Sequence, residues 1–318
     1  MKDFFRNLSL IFLALTPERR KQLFFLNILM IVCAGLELFS LGAVIPFLAV
    51  LTQPDEVFQH PMLREYFADF GFENSSKILL PITIAFFMAT LISMSARLFL
   101  NWAMIRVSFT AGKDISVLVF DRVLHLPYLN LKSRNSSEII SALTNKTNLV
   151  VVQGLIPALL MISGSITLIS IATFFIILDP VIALSVFLIF SLFYIFIILT
   201  TKNRLIANSD AVAKHTSTLV KIINEALGDA RDLILSNWFG PTIKKYKTTE
   251  ASLRMAQGDS KFISEFPRFV IEAFGIILIT SLAYFLTVKG DSPNLIPVLG
   301  ALALAAQRLL PIAQNIFN

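Results

Sequence analysis

The chain has 318 residues, of which 56% are hydrophobic and only 15% are charged. Soluble proteins average about 45–50% apolar and about 25% charged residues, so water is not the main solvent of this chain. Its single cysteine excludes an intrachain disulfide, and its three histidines lack the spacing of metal ligands, so we predict no metal site.

Long uncharged runs predict membrane-spanning helices, because a bilayer needs about 20 apolar residues per helix. We predict an all-α membrane protein with six long transmembrane helices that extend into the cytoplasm. The spans are expected at about 22–51, 78–102, 147–178, 180–201, 266–288 and 294–318, which together form one transmembrane domain over 22–318. Residues 1–21 contain a short apolar stretch without a small-residue cleavage site, so we expect an amino-terminal interfacial elbow segment rather than a removable signal peptide.

The basic residues alternate along the chain and predict its orientation. Five Lys and Arg precede the first span, two lie between Thr52 and Lys77, seven between Arg97 and Lys146, and eleven between Lys202 and Arg268. By the positive-inside rule, the amino terminus and both long basic connections are cytoplasmic. This topology accounts for the formal net charge of +6, so no nucleic-acid partner is expected.

The two cytoplasmic connections have apolar residues near helical spacing, which predicts that the spans continue as helices into the cytoplasm. Breaks are expected at Leu126-Pro127 and at Phe239-Gly240-Pro241, where Pro and Gly interrupt the pattern and leave two short elbows. On the opposite side, His60 to Phe70 has an amphipathic pattern. It predicts either a helix on the outer membrane surface or a loop helix packed on the protein itself.

This layout resembles the transmembrane domain of ABC exporters that have six long helices and two cytoplasmic coupling helices per subunit. The resemblance covers nearly the whole chain. It is carried by His125-Leu126-Pro127-Tyr128 with Ser136 to Thr144, by Ile223 to Asp232, and by the Leu178-Asp179-Pro180 turn. It implies that the elbows are coupling helices, with candidate residues Leu129, Asn130, Lys132, Ser236, Asn237 and Trp238.

Within that family the chain looks most similar to bacterial flippases of lipid-linked oligosaccharides. The similar segments are Phe266-Pro267-Arg268 with Glu272, Arg308-Leu309-Leu310-Pro311, and Glu37 through Pro46-Phe47. The likeness implies a homodimer in the bacterial cytoplasmic membrane that flips or exports a lipid-linked oligosaccharide or another amphipathic anionic substrate.

The resemblance also implies a partner ATPase. The 318 residues contain no G-x-x-x-x-G-K-[ST] phosphate loop, so we expect no catalytic residues and no ATP hydrolysis by this chain alone. ATP and Mg²⁺ are expected on an ABC ATPase domain, which is either a separate polypeptide or lost by truncation; the resemblance favours truncation.

Five charged residues fall within the predicted spans, where a charge costs about 2.5–3.5 kcal/mol and therefore needs a partner, a cavity or an interface. They are the substrate-pathway candidates Arg97, Arg268, Arg308, Glu37 and Glu272. Guanidinium groups bind phosphate oxygens in pairs, and counting along the helices places all three arginines in the inner half of the membrane.

Simpler roles for these residues remain open. The arginines can snorkel to the interface, with Arg268 paired to Glu272 one helical turn away. Glu37 is expected further out, either as a helix-packing partner or as a pathway residue. Two other functions are also compatible with the sequence: a secondary carrier and an inactive transporter fragment.

Overall fold

The computed structural model describes residues 16–52, 54, 75–128, 139–140, 142–289 and 295–317, and the regular structure of these residues is helical. The long helices are α1 (Pro17–Thr52), α2 (Ser75–Leu124), α3 (Ile156–Leu178), α4 (Pro180–Gly228), α6 (Phe239–Lys289) and α7 (Leu295–Phe317), with the short helix α5 (Ala230–Ser236) between α4 and α6. A π-helical lead, defined as Ala142–Lys146 and Val150–Leu155 joined by the α-helical turn Thr147–Leu149, precedes α3.

Five stretches of described helix are long and apolar enough to span a membrane: Pro17–Thr52, Ile78–Leu124, Leu143–Leu178, Ala183–Gly228 and Phe239–Tyr284. The all-α prediction is therefore confirmed for the described residues. The sixth predicted span, 294–318, coincides with α7, whose described apolar stretch, Leu299–Leu309, is shorter than a full crossing. The helix α1 begins at Pro17, so residues 17–21 of the predicted elbow segment belong to the first long helix.

The helix ends follow local chemistry. The helix α2 ends at Leu124, just before Leu126-Pro127, as the sequence predicted. The second break lies earlier than the predicted Phe239-Gly240-Pro241: α5 stops at Ser236, and α6 starts at Phe239. Pro241 falls in the first turn of α6. Backbone N–H groups there have no acceptor within the helix, so a proline, which lacks an N–H, does not interrupt it.

Asn237 ends α5 in the left-handed conformation, with φ of 53°. The N–H of Asn237 donates to the Ile234 carbonyl at 3.4 Å, and the N–H of Trp238 donates to the Leu233 carbonyl at 3.2 Å. This pair of bonds is a Schellman motif, and Asn tolerates the left-handed position better than most residues with a side chain. The Schellman cap at Asn237, rather than Pro241, therefore explains the break between α5 and α6.

The chain divides into two compact units, of which the first comprises residues 1–180 with 279–316. Its core joins α1, α2 and α3 through Leu26, Met30, Leu100, Met104 and Leu159. Close approach of α3 and α7 depends on glycine, because a Cβ at Gly164 would lie 2.8 Å from Cγ2 of Ile312. The second unit comprises residues 181–278 with 317–318, and stacked Phe193 and Phe274 rings, 3.9 Å apart, join its helices α4 and α6.

The π-helical lead is anchored on α2. Ser116 donates to the carbonyl of Leu143 at 3.3 Å, and Val151 packs directly over Gly112. An added Cβ at Gly112 would overlap the Val151 side chain, whereas a Cβ at Gly154 would meet nothing within 4 Å. Replacement of glycine by alanine is thus expected to disturb the packing at Gly112 but not at Gly154.

We predict that Gly112→Ala lowers the thermal unfolding temperature and that Gly154→Ala, the matched control, does not. Overpacking costs about 1–3 kcal/mol, which exceeds the roughly 0.5–1 kcal/mol that alanine gains over glycine in a helix. The measurement is thermal unfolding of the purified protein in detergent. Equal unfolding temperatures for the two variants would contradict the packing of Val151 on Gly112.

A second anchor joins the amino-terminal turn of α1 to α2 beyond the apolar stretch. Arg19 Nε donates to Asp114 Oδ2 at 2.7 Å, and Lys113 lies 3.2 Å from Asp114 Oδ1. The hydrogen bond from Arg19 holds the pKa of Asp114 below its ordinary value. A carboxylate with a lowered native pKa stabilises the fold fully above its unfolded pKa of about 3.9, and this stabilisation is lost as the pH falls through the native value.

We therefore predict that Asp114→Asn lowers stability by about 1 kcal/mol at neutral pH, since the pair is largely shielded from solvent. The difference between the wild type and the variant should begin to shrink below about pH 4, where Asp114 of the unfolded chain binds a proton, and should vanish once the native carboxylate is protonated as well. Denaturant unfolding at several pH values measures this difference. A difference that stayed constant down to pH 3 would show that Asp114 does not act through its charge.

Candidate functional site

The candidate site is built around Glu37, a carboxylate inside the first unit. Glu37 is 5% exposed, and Ser40 on the same helix is fully buried. Both lie on the face of α1 that also buries Cys33, Leu41 and Val44, because residues three, four and seven apart share one side of a helix. The carboxylate is thus placed on the packed face of an otherwise apolar helix.

Arg97 approaches Glu37 from α2. Its Nη1 lies 3.5 Å from Glu37 Oε1, and its side chain keeps 39% exposure while that of Glu37 keeps 7%. One turn away, Cys33 Sγ donates to the carbonyl of Ala96 at 3.4 Å, so the two helices are close at this level. The pair is an ion pair with one buried and one partly exposed partner.

Arg308 approaches the same residue from α7. Its Nη1 donates to the Glu37 carbonyl at 3.0 Å, and its Nη2 donates to Ser40 Oγ at 2.9 Å. Arg308 shares a helix face with the buried residues Ala301 and Ala305. These small side chains let α7 lie close to its neighbours, so the guanidinium can reach the backbone of α1.

The arginine-carboxylate cluster, which we define as Glu37, Ser40, Arg97 and Arg308, joins three helices that are distant in sequence. It contains two guanidinium groups and one carboxylate, and it is therefore net positive if all three are ionised. Glu37 Oε2 is buried and has no hydrogen-bond partner among the described residues, and neither has the hydroxyl of Ser93, four residues before Arg97 on α2. The two guanidinium groups and the unpaired Ser93 hydroxyl are hydrogen-bond donors, which an anion site needs, whereas Glu37 Oε2 can only accept.

The other two pathway candidates belong to the second unit. Arg268 and Glu272 lie on α6, and both side chains are exposed. Their spacing permits a salt bridge, but within the described part of the chain no ion pair of 4.0 Å or less joins them. The alternative role of Arg268 as the salt-bridge partner of Glu272 thus finds no support in the described contacts.

The position of Glu37 is a second difference from the sequence-based expectation. Glu37 was expected further out than the arginines, yet it lies level with Arg97 and Arg308. Counting residues along separate helices does not give the shift of one helix against another. Ser40 and Ser93 were missed, although their spacing from Glu37 and Arg97 already places them on the same helix faces.

The predicted coupling residues are only partly within the described chain. Leu129, Asn130 and Lys132 lie outside it, as does the amphipathic segment His60 to Phe70. Ser236, Asn237 and Trp238 form the capped end of α5, where Ile234, Leu235 and Trp238 are exposed. The second elbow thus presents apolar side chains at a hydrogen-bonded turn between the long helices α4 and α6.

The family model of the ABC transporter transmembrane region matches residues 23–295. The chain belongs to this family. It is a multi-pass membrane protein and the transmembrane part of an ABC transporter, which agrees with its several apolar helices. Transmembrane regions of this family generally work with ATPase domains.

We predict that Glu37→Gln lowers the thermal unfolding temperature, because two guanidinium groups then share no carboxylate. A second substitution, Arg97→Gln, should restore part of the loss by removing one of the uncompensated charges. A double-mutant cycle on the purified protein measures the coupling between the two sites. Strictly additive effects would show that the 3.5 Å ion pair contributes nothing to the packing of α1 on α2.

Proposed function

We propose that this chain is the membrane-spanning part of a bacterial ATP-driven transporter that flips or exports an amphipathic anionic substrate, with a lipid-linked oligosaccharide as the leading candidate. In this proposal the protein acts as a homodimer in the cytoplasmic membrane, with its amino terminus inside. The observation that carries the proposal is the convergence of two guanidinium groups on Glu37: Arg97 lies beside its buried carboxylate, and Arg308 donates to its backbone carbonyl.

The cluster suits a phosphate group for two reasons. Arg308 binds only neutral oxygens in its two hydrogen bonds, those of a carbonyl and a hydroxyl, so its charge is not directly compensated there. Arg97 retains partial exposure, which gives an incoming anion access to its guanidinium. A pyrophosphate-linked lipid offers several charged oxygens to such a pair.

Arg268 enters the proposal as a separate contact. It is exposed on α6 in the second unit, and no partner within 4.0 Å neutralises it among the described residues. The likeness to oligosaccharide flippases favours a role for Arg268 in contact with the substrate, and the nearby Glu272 carboxylate would lower the net positive charge there.

The energy for transport would come from an ABC ATPase domain with ATP and Mg²⁺. The exposed apolar end of α5 suits docking to such a domain, because a rigid turn transmits a push to the helices on either side. Closure of two ATPase domains would then rock α4 and α6 and expose the anion site to the opposite leaflet. Family membership favours this mechanism over a secondary carrier.

We predict that Arg308→Ala abolishes flipping of a fluorescent lipid-linked sugar in proteoliposomes that contain the transporter together with its ATPase domain. Loss of one of two guanidinium contacts to a multiply charged group removes a charge-assisted interaction that contributes about 1.5–3 kcal/mol. Arg308→Lys should retain part of the activity, because it keeps the charge and loses the bidentate geometry.

The matched control is Arg254→Ala, which removes an exposed arginine paired with Glu250 on α6. Basal ATP hydrolysis and thermal unfolding of each variant separate a transport defect from misfolding. Undiminished flipping by a folded Arg308→Ala transporter would refute the anion site. If the wild-type transporter flipped an uncharged lipid analogue as fast as the charged lipid-linked sugar, the assignment of an anionic substrate would be refuted.

A further inference from the structure

Glu37 has the most buried carboxylate among the ion pairs of the described residues, yet its ionic contact is long. Arg97 Nη1 lies 3.5 Å from Glu37 Oε1, and the Glu37 side chain keeps only 7% exposure. In the pair of Arg19 with Asp114, the corresponding distance is 2.7 Å, which is the length of a charge-assisted hydrogen bond. The carboxylate that needs compensation most is therefore held less tightly than a more exposed one.

The second oxygen of this carboxylate has no compensation at all. Glu37 Oε2 is buried and has no hydrogen-bond partner among the described residues. Arg308 donates its two hydrogen bonds to the Glu37 carbonyl and to Ser40 Oγ, so neither reaches the carboxylate. The buried Ser93 hydroxyl, one turn from Arg97, is also without a partner and does not donate to Glu37. A buried carboxylate with so few donors depends on Arg97 to remain ionised, because an isolated charge in an apolar interior is neutralised instead.

Few other charged groups surround Glu37 in the first unit. On α2 the charged residue next nearest to Arg97 is nine positions away, or about 13 Å along the helix. Arg308 is the one ionisable residue of α7, and α3 has none. On α1 the thiol of Cys33 donates to a backbone carbonyl of α2, and the remaining ionisable residues lie about 24 Å or more away in the first turns. The charge of Glu37 is therefore governed by the two arginines.

An anion bound at the cluster changes this balance. Arg97 is 39% exposed, so an anion can reach its guanidinium and replace Glu37 Oε1 as its partner. The displaced carboxylate would then lie buried beside a second negative group. Like charges at one buried site disfavour ionisation, and binding of a proton to one of them removes the repulsion. The more acidic phosphate stays ionised, so the proton belongs on Glu37.

We propose that Glu37 is a proton-binding site coupled to the anion site: it takes up one proton from water when an anionic substrate binds Arg97 and Arg308, and it releases that proton when the substrate leaves. The bond formed is the O–H of the Glu37 carboxyl group. The bond broken is that of hydronium or of a buffer acid, and no electrons are transferred. This inference rests on the proposed function, because it uses the same anion site.

Proton uptake has a defined effect on affinity. Since the complex then contains one more proton than the separate partners, a rise in pH weakens binding of a permanently ionised anion. The decrease is up to about tenfold per pH unit over the range in which uptake occurs. By reciprocity, the bound anion favours the protonated form of Glu37 by the same factor.

The test measures protons directly. The probe is farnesyl-pyrophosphoryl-N-acetylglucosamine, a pyrophosphate diester that does not itself titrate between about pH 5 and pH 8. It is titrated calorimetrically into the transporter with its ATPase domain, without ATP, in phosphatidylcholine nanodiscs, and empty nanodiscs give the background. Two buffers with different heats of ionisation give the number of protons taken up. We expect uptake that approaches about one proton per site, together with an affinity that falls as the pH rises.

Three variants assign the proton. Glu37→Gln carries a permanently neutral side chain, so it should bind the probe without proton uptake and with an affinity independent of pH. At the upper end of the pH range it should bind more tightly than the wild type, because no carboxylate competes for Arg97. Glu37→Asp keeps a carboxyl group on the same helix face and should retain uptake. The matched control, Glu250→Gln, removes a carboxylate paired with Arg254 on α6 and should behave as the wild type.

A second measurement needs no substitution. The infrared difference spectrum of the wild type on probe binding should show the C=O stretch of a protonated carboxyl group, and its absence would overturn the proposal. Probe binding without proton uptake, or equal uptake by the wild type and Glu37→Gln, would also overturn it while the anion site of the proposed function stands. No probe binding at any pH would refute the anionic substrate and the proton coupling together. Thermal unfolding of each variant shows whether the compared proteins are folded.

Discussion

Burial of the Glu37 carboxylate governs the arrangement of the first unit. A charge in an apolar interior is tolerated only with a partner, and Glu37 finds its partner on α2 and supplies its own carbonyl to α7. The helices α1, α2 and α7 must therefore meet at one level. Apolar packing alone would allow one helix to slide along another, whereas a charged contact between specific residues specifies their register.

The packing of small residues follows from that register. At the level of Glu37, α7 comes close enough for Arg308 to donate a hydrogen bond to the backbone of α1. Ala301 and Ala305 are buried on the same face of α7, and their small side chains permit this close approach. Gly164 allows α3 to approach Ile312 on the same helix. The Arg19–Asp114 pair fixes the opposite end of the α1–α2 contact. The two ends together restrict how far α1 can shift against α2.

The sequence predicts the helices better than it predicts their contacts. Apolar runs and Pro127 locate the ends of α2, since both signals are local. Asn237 was missed as a helix end because the signal at Gly240-Pro241 is stronger, although proline is harmless in a first turn. The level of Glu37 and the absence of the Arg268–Glu272 pair depend on tertiary packing and on rotamers. Neither can be read from residue spacing.

The two arginines of the cluster are not equivalent, and the difference bears on the proposed function. Arg97 faces a carboxylate, so a bound anion would have to compete with Glu37 for it. Arg308 faces neutral oxygens, so an anion would engage its charge without displacing another anionic group. A singly charged group would engage Arg308 and leave the Arg97–Glu37 pair in place. A pyrophosphate has enough charged oxygens to engage both, and Glu37 would then discriminate between substrates by their charge.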